Sequence, residues 1–147
     1  MMNKVLLFEV NKQPMGFDLH YVKEVLDNTN LQPVPLAPPF VLGMLNRRGK
    51  IFTIINLAIL LGLPAKGLDP DSRILILEHK EIDVGILVDK INQTTSISST
   101  AHEGNKTHLF NDKGKGFCNL VLKCEEDIPL FNAERFFTFL KEGTFNT

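Results

Sequence analysis

The sequence lacks several features that mark specialised proteins. It has no Trp, only two Cys and no excess of either charge, since 16 Lys and Arg stand against 17 Asp and Glu. Two cysteines are too few for a disulfide framework, which favours a reduced, cytoplasmic setting. A formal charge of -1 creates no overall field that would attract nucleic acid or an anionic membrane surface.

Long apolar runs are missing as well. The one candidate for a signal-peptide core, residues 5–10, is short and contains Glu9. No run approaches the roughly 18 apolar residues that a membrane-spanning helix needs, so we predict neither secretion nor direct membrane insertion. The remaining composition, with 44% hydrophobic and 22% charged residues in 147, is typical of one compact globular unit.

Motifs for catalysis are absent from the sequence. We find no phosphate-binding loop, nucleophile elbow or dinucleotide fingerprint, and we therefore predict that the protein is not an enzyme. His102, His108, Cys118 and Cys124 lie in one region, but each pair is separated by five residues. Zinc ligands usually come in pairs separated by about two to four residues, so we predict no metal and no cofactor.

The apolar residues recur mostly with a period of two, which predicts strands with one buried face. In residues 82–89, the expected core face carries Ile82, Val84, Ile86 and Val88, and the expected solvent face carries Asp83, Gly85 and Asp89. Both carboxylates are interpreted as solvated. Hairpins are predicted for residues 5–10 with 15–19, 41–46 with 50–55, and 73–78 with 82–89.

Helical patterns are brief and lie at residues 20–27, 57–61 and 132–142. The last segment has Asn132 as a predicted N-cap and a stripe of Phe136, Phe137 and Leu140. The proline-rich residues 32–40 predict an extended connector, and the polar residues 93–116 predict a long loop with weak strand content. Many short strands with few helices indicate an all-β fold of one or two small barrels.

Residues 46–50, with the sequence NRRGK, place three cations in the turn of a predicted hairpin. Arginine offers a rigid five-donor fork for carboxylates and is enriched at the centres of interfaces. Arg47 and Arg48 are therefore candidates for partner binding, although each could instead pair with a nearby carboxylate and hold the turn. Phe110, in the polar loop, is either a satellite core residue or an exposed anchor for a partner.

Three segments resemble the CheW-type family of adaptor proteins. Residues 22–25, VKEV, resemble its V-x-E-[IV] core, and residues 84–89, VGILVD, resemble its V-G-[IL]-x-V-D strand. Between them, residues 35–57 resemble the signature P-x-F-[IV]-x-G-x-x-N-x-R-G followed by [VI]-x-[DN]-L. Asn56 stands where this family commonly has Asp. The resemblance covers almost the whole chain.

The resemblance implies a particular architecture. We expect one CheW-like domain over residues 1–147, built as two small SH3-like five-stranded barrels packed together, with a few short helices and a C-terminal helix. The approximate units are residues 14–80 and 81–147, and the N-terminal strand is free to cross to the second. No active site is implied.

The resemblance also implies a function and a set of residues. We expect a cytoplasmic scaffold of chemotaxis signal transduction, which joins the tip of a chemoreceptor to the CheA-like regulatory domain of a two-component histidine kinase. The positions that match the family's docking residues are Val22, Glu24, Asn46 and Arg48. Arg47 belongs to the same turn, and Phe110 matches approximately through its loop.

Two other functions stay open at this point. The chain could be the adaptor of a non-chemotactic system, such as one controlling surface motility. In a different class, a small barrel can bind single-stranded nucleic acid through aromatic platforms in a basic groove. A single Tyr, no Trp and balanced charge weigh against nucleic acid as a partner.

Overall fold

A computed structural model describes residues 4–27, 30–64, 70–96, 101–103, 120–123 and 127–142. A single 3-10 turn at Leu19–Tyr21 precedes the third strand. The other elements, in chain order, are β1 (Lys4–Val10), β2 (Gln13–Asp18), β3 (Val22–Asp27), β4 (Val41–Arg47), β5 (Lys50–Asn56), α1 (Leu57–Leu61), β6 (Arg73–Leu77), β7 (Val84–Val88), β8 (Lys90–Ser96), β9 (Ala101–Glu103), β10 (Leu120–Lys123), β11 (Asp127–Leu130) and α2 (Ala133–Glu142).

The described strands form two sheets. Sheet I has five strands in the order β3-β6-β7-β5-β4, and sheet II has six in the order β8-β1-β2-β11-β10-β9. The prediction of an all-β fold made of two small strand units with a C-terminal helix is confirmed. The sixth strand of sheet II is β9, a three-residue strand inside the segment for which the sequence predicted only weak strand content.

The three predicted hairpins form as β1 with β2, β4 with β5, and β6 with β7. The predicted solvent face of residues 82–89 is wrong at Gly85, because all five residues of β7 are buried, whereas Asp83 before the strand is exposed as predicted. β7 lies in the interior of sheet I, between β6 and β5. Val84, Ile86 and Val88 contribute to one apolar cluster, while Leu87 contributes to a second cluster on the other side of the strand.

The predicted helix at residues 20–27 is also wrong beyond its first turn. Only Leu19–Tyr21 is helical, and the chain then becomes β3, which pairs antiparallel with β6. Burial along β3 alternates between half-buried and exposed residues, as expected of a strand. Val22 and Val25 are β-branched and prefer strands, and hydrogen bonding to β6 outweighs the short helical pattern.

Both remaining helices form as predicted and have side-chain caps. The Asn56 side chain accepts a hydrogen bond from the backbone N–H of Ile59 at 3.4 Å, and α1 ends at Gly62 with a φ of 78°. Asp would be able to accept the same bond, which accounts for Asn at this family position. In α2, the Asn132 side chain accepts from the Arg135 N–H at 3.1 Å.

Helix α2 packs against residues from both parts of the molecule. Phe136 contacts Phe17 of sheet II, with ring centroids 6.4 Å apart. Phe137 contacts Tyr21, just before sheet I, at 5.5 Å and His79, just after β6, at 4.6 Å. One apolar cluster therefore contains residues of both sheets and of the helix, and it makes the two sheets mutually dependent.

The boundary predicted at residue 80 can be compared with the way the strands pair. The predicted boundary between residues 80 and 81 falls in the turn between β6 and β7, two neighbours in sheet I. The change of sheet occurs instead between β7 and β8, because β8 pairs with β1 in sheet II. The division into units 14–80 and 81–147 stays a prediction.

Candidate partner-binding site

The NRRG turn is a tight two-residue hairpin loop at the tip of sheet I. Arg47 and Lys50 are the last paired residues, and the loop consists of Arg48 and Gly49. Both have positive φ, 55° and 83°, as a type I′ turn requires. Asn46 accepts a hydrogen bond from the Gly49 N–H at 3.2 Å through its side-chain oxygen. Asn46 and Gly49 therefore fix the shape of the tip.

Arg47 forms a forked ion pair with Glu24. Its Nε donates to Oε1 of Glu24 at 3.2 Å, and a second guanidinium nitrogen donates to Oε2. Glu24 lies on β3 and Arg47 on β4, the two edge strands of sheet I, so the pair joins the edges of a curved sheet. The side chains are 28% and 38% exposed, which leaves the pair within reach of a partner surface.

The ion pair shifts the pKa of both groups. The hydrogen bond from Arg47 lowers the pKa of Glu24, with smaller contributions from the charges of Arg47, Arg48 and Lys23. The same bond raises the pKa of Arg47. Glu24 is therefore ionised at neutral pH, and Arg47 is committed to an intramolecular contact.

Arg48 lies beside this ion pair and is not part of it. It is exposed at the end of the hairpin, and it makes no hydrogen bond or ion pair with another described residue. Its charge acts on Glu24 only through space. Of the two alternatives considered for the arginines, pairing with a nearby carboxylate applies to Arg47. The guanidinium of Arg48 remains available to a partner.

Val22 lies at the start of β3, close to Glu24 in the chain but in another environment. It is half-buried and packs against the large apolar cluster. The strand carries a β-bulge between Val22 and Glu24. The structure thus brings together Glu24, Arg47, Arg48 and Asn46 at one tip, and it places Val22 mostly toward the core.

Several predicted residues fall outside the described part of the chain. Phe110 lies there, as do His108, Cys118 and Cys124 of the region considered for metal. His102 lies in β9, but its side chain is not described. Among the residues whose side chains are described, no group of three or more His, Cys, Asp or Glu is placed to hold a metal ion. No helix in the described ranges is long and apolar enough to cross a membrane.

Asp89 has a structural role that the sequence pattern did not indicate. Its carboxylate accepts a hydrogen bond from the Asn11 N–H at 2.6 Å, and its own N–H donates to the Glu9 carbonyl at 2.9 Å. Asp89 is half-buried and anchors the β1–β2 turn to the end of β7. The interpretation of this carboxylate as solvated is therefore wrong. The positive φ values of Asn11 and Lys12 mark a second type I′ turn at this anchor.

Two motif glycines are required by close packing. A Cβ on Gly43 would lie 2.8 Å from the Gln32 carbonyl oxygen, and one on Gly85 would lie 3.0 Å from the Leu75 carbonyl oxygen. At Gly43 this close approach allows Gln32 and Met44 to exchange two backbone hydrogen bonds of 2.8 Å. Gly43 and Gly85 therefore support the packing of the fold.

Comparisons with known proteins agree with this arrangement. The family model "CheW-like domain" matches residues 4–139. The chain is 32% identical over 114 residues to the chemotaxis protein CheW of Thermotoga maritima, covering 77% of this chain and 75% of that one. It is 28% identical over 100 residues to chemotaxis protein CheW of Bacillus subtilis, covering 68% of this chain and 64% of that one.

A solved structure shares the fold. The crystal structure of the scaffolding protein TtCheW from Thermoanaerobacter tengcongensis superimposes with a TM-score of 0.79 at 25% sequence identity, covering 90% of each chain. From the family match over residues 4–139 and the shared fold, the chain belongs to the CheW-like domain family.

Proposed function

We propose that this chain is a chemotaxis coupling adaptor, which holds a chemoreceptor tip and the regulatory domain of a CheA-like histidine kinase at the same time. It works by non-covalent binding in the cytoplasm and catalyses no reaction. Membership of the CheW-like family supports an adaptor role in chemotaxis. The description of a structurally similar protein as a scaffolding protein supports the same role.

The proposal rests mainly on the different contacts of two adjacent arginines. Arg47 is bound to Glu24, while Arg48 projects from a turn whose shape is fixed by Asn46 and Gly49. The turn fixes the backbone from which the Arg48 side chain extends, so less backbone freedom is lost on binding, and the guanidinium can form a forked pair with a partner carboxylate. The tip is therefore preorganised for a protein partner.

The proposed binding surface has two parts. Its polar part lies at the tip of sheet I and consists of Glu24, Asn46, Arg47 and Arg48. Val22 supports β3 beneath this polar part through its contact with the core. Phe110 is proposed as a further partner contact. Exchangeable contacts of this kind suit a signalling adaptor better than one large permanent interface.

Reversing the free arginine tests this function. In Arg48→Glu we expect an unchanged fold, because substitutions of exposed residues usually change stability by about 0.5 kcal/mol or less. Affinity for at least one partner should fall by tenfold or more, since disrupting an interfacial charge pair costs roughly 2–5 kcal/mol. Separate titrations with the kinase regulatory domain and with a receptor-tip fragment measure the effect.

Lys12→Glu is the matched control for this experiment. Lys12 is also an exposed cation at positive φ in a type I′ turn, but it lies in the β1–β2 hairpin of sheet II. The control has the same change of charge and should bind both partners normally. Unchanged affinity of a folded Arg48→Glu for both partners would remove this tip from the binding surface.

A further inference from the structure

A groove lined by lysines begins beside Arg48 and continues along sheet I. Two cavities, of about 110 Å³ and about 330 Å³, share Lys23, Lys50 and Phe52 as lining residues and are therefore contiguous. The smaller one lies against the hairpin tip and is also lined by Arg48. The larger one reaches the turn after β6, where Lys80 lines it. We call this continuous surface the lysine groove.

The lysine groove has a surplus of positive charge. Its walls carry five cations, Lys23, Arg47, Arg48, Lys50 and Lys80, and three carboxylates, Glu24, Glu78 and Asp83, a net charge of +2. The whole chain has a formal charge of -1. Lys23, Lys50 and Lys80 are exposed, and their side chains make no hydrogen bond or ion pair with another described residue. None of these three lysines is therefore held in a direct ion pair within the described chain.

The base of the groove is apolar. Phe52, Ile76 and Leu77 line it and are only 5%, 1% and 2% exposed. Charges above an apolar surface in a cleft are screened less than charges on a convex, fully solvated surface. A carboxylate that enters the groove would therefore interact more strongly with these lysines than with isolated surface lysines.

We infer that the lysine groove binds an acidic segment of a protein partner, which places Asp or Glu side chains against Lys23, Lys50 and Lys80. The inference deepens the proposed function and rests on it, because Arg48 stands at one end of the same groove. The groove extends the contact from a single guanidinium to a row of cations that the family signature does not include.

A polyanion fits this groove less well than a protein segment. Glu78 and Asp83 interrupt the row of cations, and they would repel a continuous phosphate backbone. The Phe52 ring in the groove is buried and offers no open face on which a base could stack, and the His79 ring already packs against Phe137, with centroids 4.6 Å apart. A protein segment can vary its side chains and avoid both carboxylates.

The test uses a triple reversal, Lys23→Glu with Lys50→Glu and Lys80→Glu, in the full chain. The matched control reverses Lys4, Lys12 and Lys90, three exposed lysines associated with sheet II. Affinities for the kinase regulatory domain and for the receptor tip are measured at about 50 mM and about 500 mM salt. Further probes are a peptide of alternating Glu and Ala, single-stranded oligonucleotide, and phosphatidylglycerol vesicles.

We expect the groove variant to lose affinity for one protein partner by about tenfold or more at low salt, with a weaker salt dependence, while the control stays close to the unmodified chain. The acidic peptide should bind the unmodified chain and the control but not the groove variant. Normal binding of both protein partners by the groove variant overturns the inference and leaves the adaptor function intact.

The probes separate the other outcomes. If the chain binds neither protein partner but binds the acidic peptide through the three lysines, the adaptor function fails and the groove assignment stands. Groove-dependent binding of oligonucleotide or vesicles in preference to the acidic peptide would make the partner class wrong. Absence of binding to every probe would overturn both proposals.

Discussion

At the scale of single residues, the site depends on how charge is distributed between neighbours. Glu24 neutralises Arg47 and leaves Arg48 free, although both arginines lie in the same four-residue turn. A sequence contains no information on which of two adjacent arginines meets a carboxylate 23 positions earlier in the chain. That choice depends on the curvature of sheet I, which brings its two edge strands together.

The Glu24–Arg47 pair should make stability depend on acid pH. Because the folded state lowers the pKa of Glu24, its contribution to stability is full above the ordinary value of 4.5 and is lost as pH falls through the lowered value. Glu24→Gln should therefore have a lower melting temperature than the unmodified chain at pH 7, and the difference should shrink as pH falls below 4.5. Melting curves by circular dichroism measure both.

Glu78→Gln is the control for this experiment, because Glu78 is exposed and its carboxylate forms no ion pair with a described residue. Its melting temperature should follow that of the unmodified chain across the same pH range. A gap between Glu24→Gln and the unmodified chain that stays constant from neutral to acid pH would show that the ion pair does not stabilise the fold.

At the scale of elements, sequence patterns predicted the hairpins and two helices well, because turn residues and N-caps act locally. Asn56 and Asn132 cap their helices, and Gly49 supplies the positive φ of its turn. The errors were non-local. β3 was mistaken for a helix because its partner β6 lies about 50 residues later. Both faces of β7 are buried because a different apolar cluster packs against each of them.

The sequence also predicted the local features of the site and not those that depend on distant strands. The position of the basic turn followed from local sequence, and so did the need for positive φ at Gly49, whereas the two-residue loop with positive φ at Arg48 did not. The pairing of Arg47 with Glu24, the burial of Val22 and the lysine groove could not be predicted, since each depends on strands that are distant in sequence. Exposed lysines are common on protein surfaces, so their sequence carried no distinguishing signal.

A substitution in β4 tests why the signature contains a glycine at position 43. In Gly43→Ala, the added methyl group would collide with the backbone of Gln32, and overpacking of this kind typically costs about 1–3 kcal/mol. We expect a clear loss of stability in urea denaturation. The Gln32–Met44 bridge should weaken, which amide hydrogen exchange at Met44 would detect.

Gly49→Ala is the comparison for Gly43→Ala. A methyl group at Gly49 meets no atom within 4 Å, so only the positive φ opposes the substitution. Gly49→Asn should recover much of the loss, because Asn tolerates this conformation. No such recovery is expected in Gly43→Asn, where the obstacle is space. Recovery at both positions, or at neither, would contradict this distinction.

At the scale of the whole molecule, α2 holds the two sheets in one arrangement. Tyr21 donates a hydrogen bond to Glu134 of this helix, and its ring packs against Phe137. Lys141 forms an ion pair with Glu81 at 2.8 Å, in the turn between β6 and β7. An adaptor that binds two partners needs its surfaces at a fixed separation, and α2 supplies contacts that maintain it.

The docking of α2 can be followed through the single tyrosine of the chain. The hydrogen bond to Glu134, with burial and the negative charge nearby, raises the pKa of Tyr21 to about 12. In a pH titration of the unmodified chain, the midpoint at which tyrosinate absorbance appears should therefore lie well above the ordinary pKa of 10.0. In Glu134→Gln the midpoint should move toward 10.0, since the carboxylate is removed.

Glu142→Gln is the control, because it removes a carboxylate from the other end of the same helix. The contribution of the Tyr21–Glu134 bond to stability is full below pH 10 and is lost as pH rises toward about 12. Equal midpoints in the unmodified chain and in Glu134→Gln would mean that this bond does not hold α2 in solution.

The central claim is that the chain holds two partners at once. It is tested most directly by size-exclusion chromatography with light scattering on a mixture of this chain, the kinase regulatory domain and a receptor-tip fragment. The account predicts a ternary complex whose mass equals that of all three components, and the loss of one component when Arg48→Glu replaces the unmodified chain. Binary complexes in which one partner displaces the other would contradict the account.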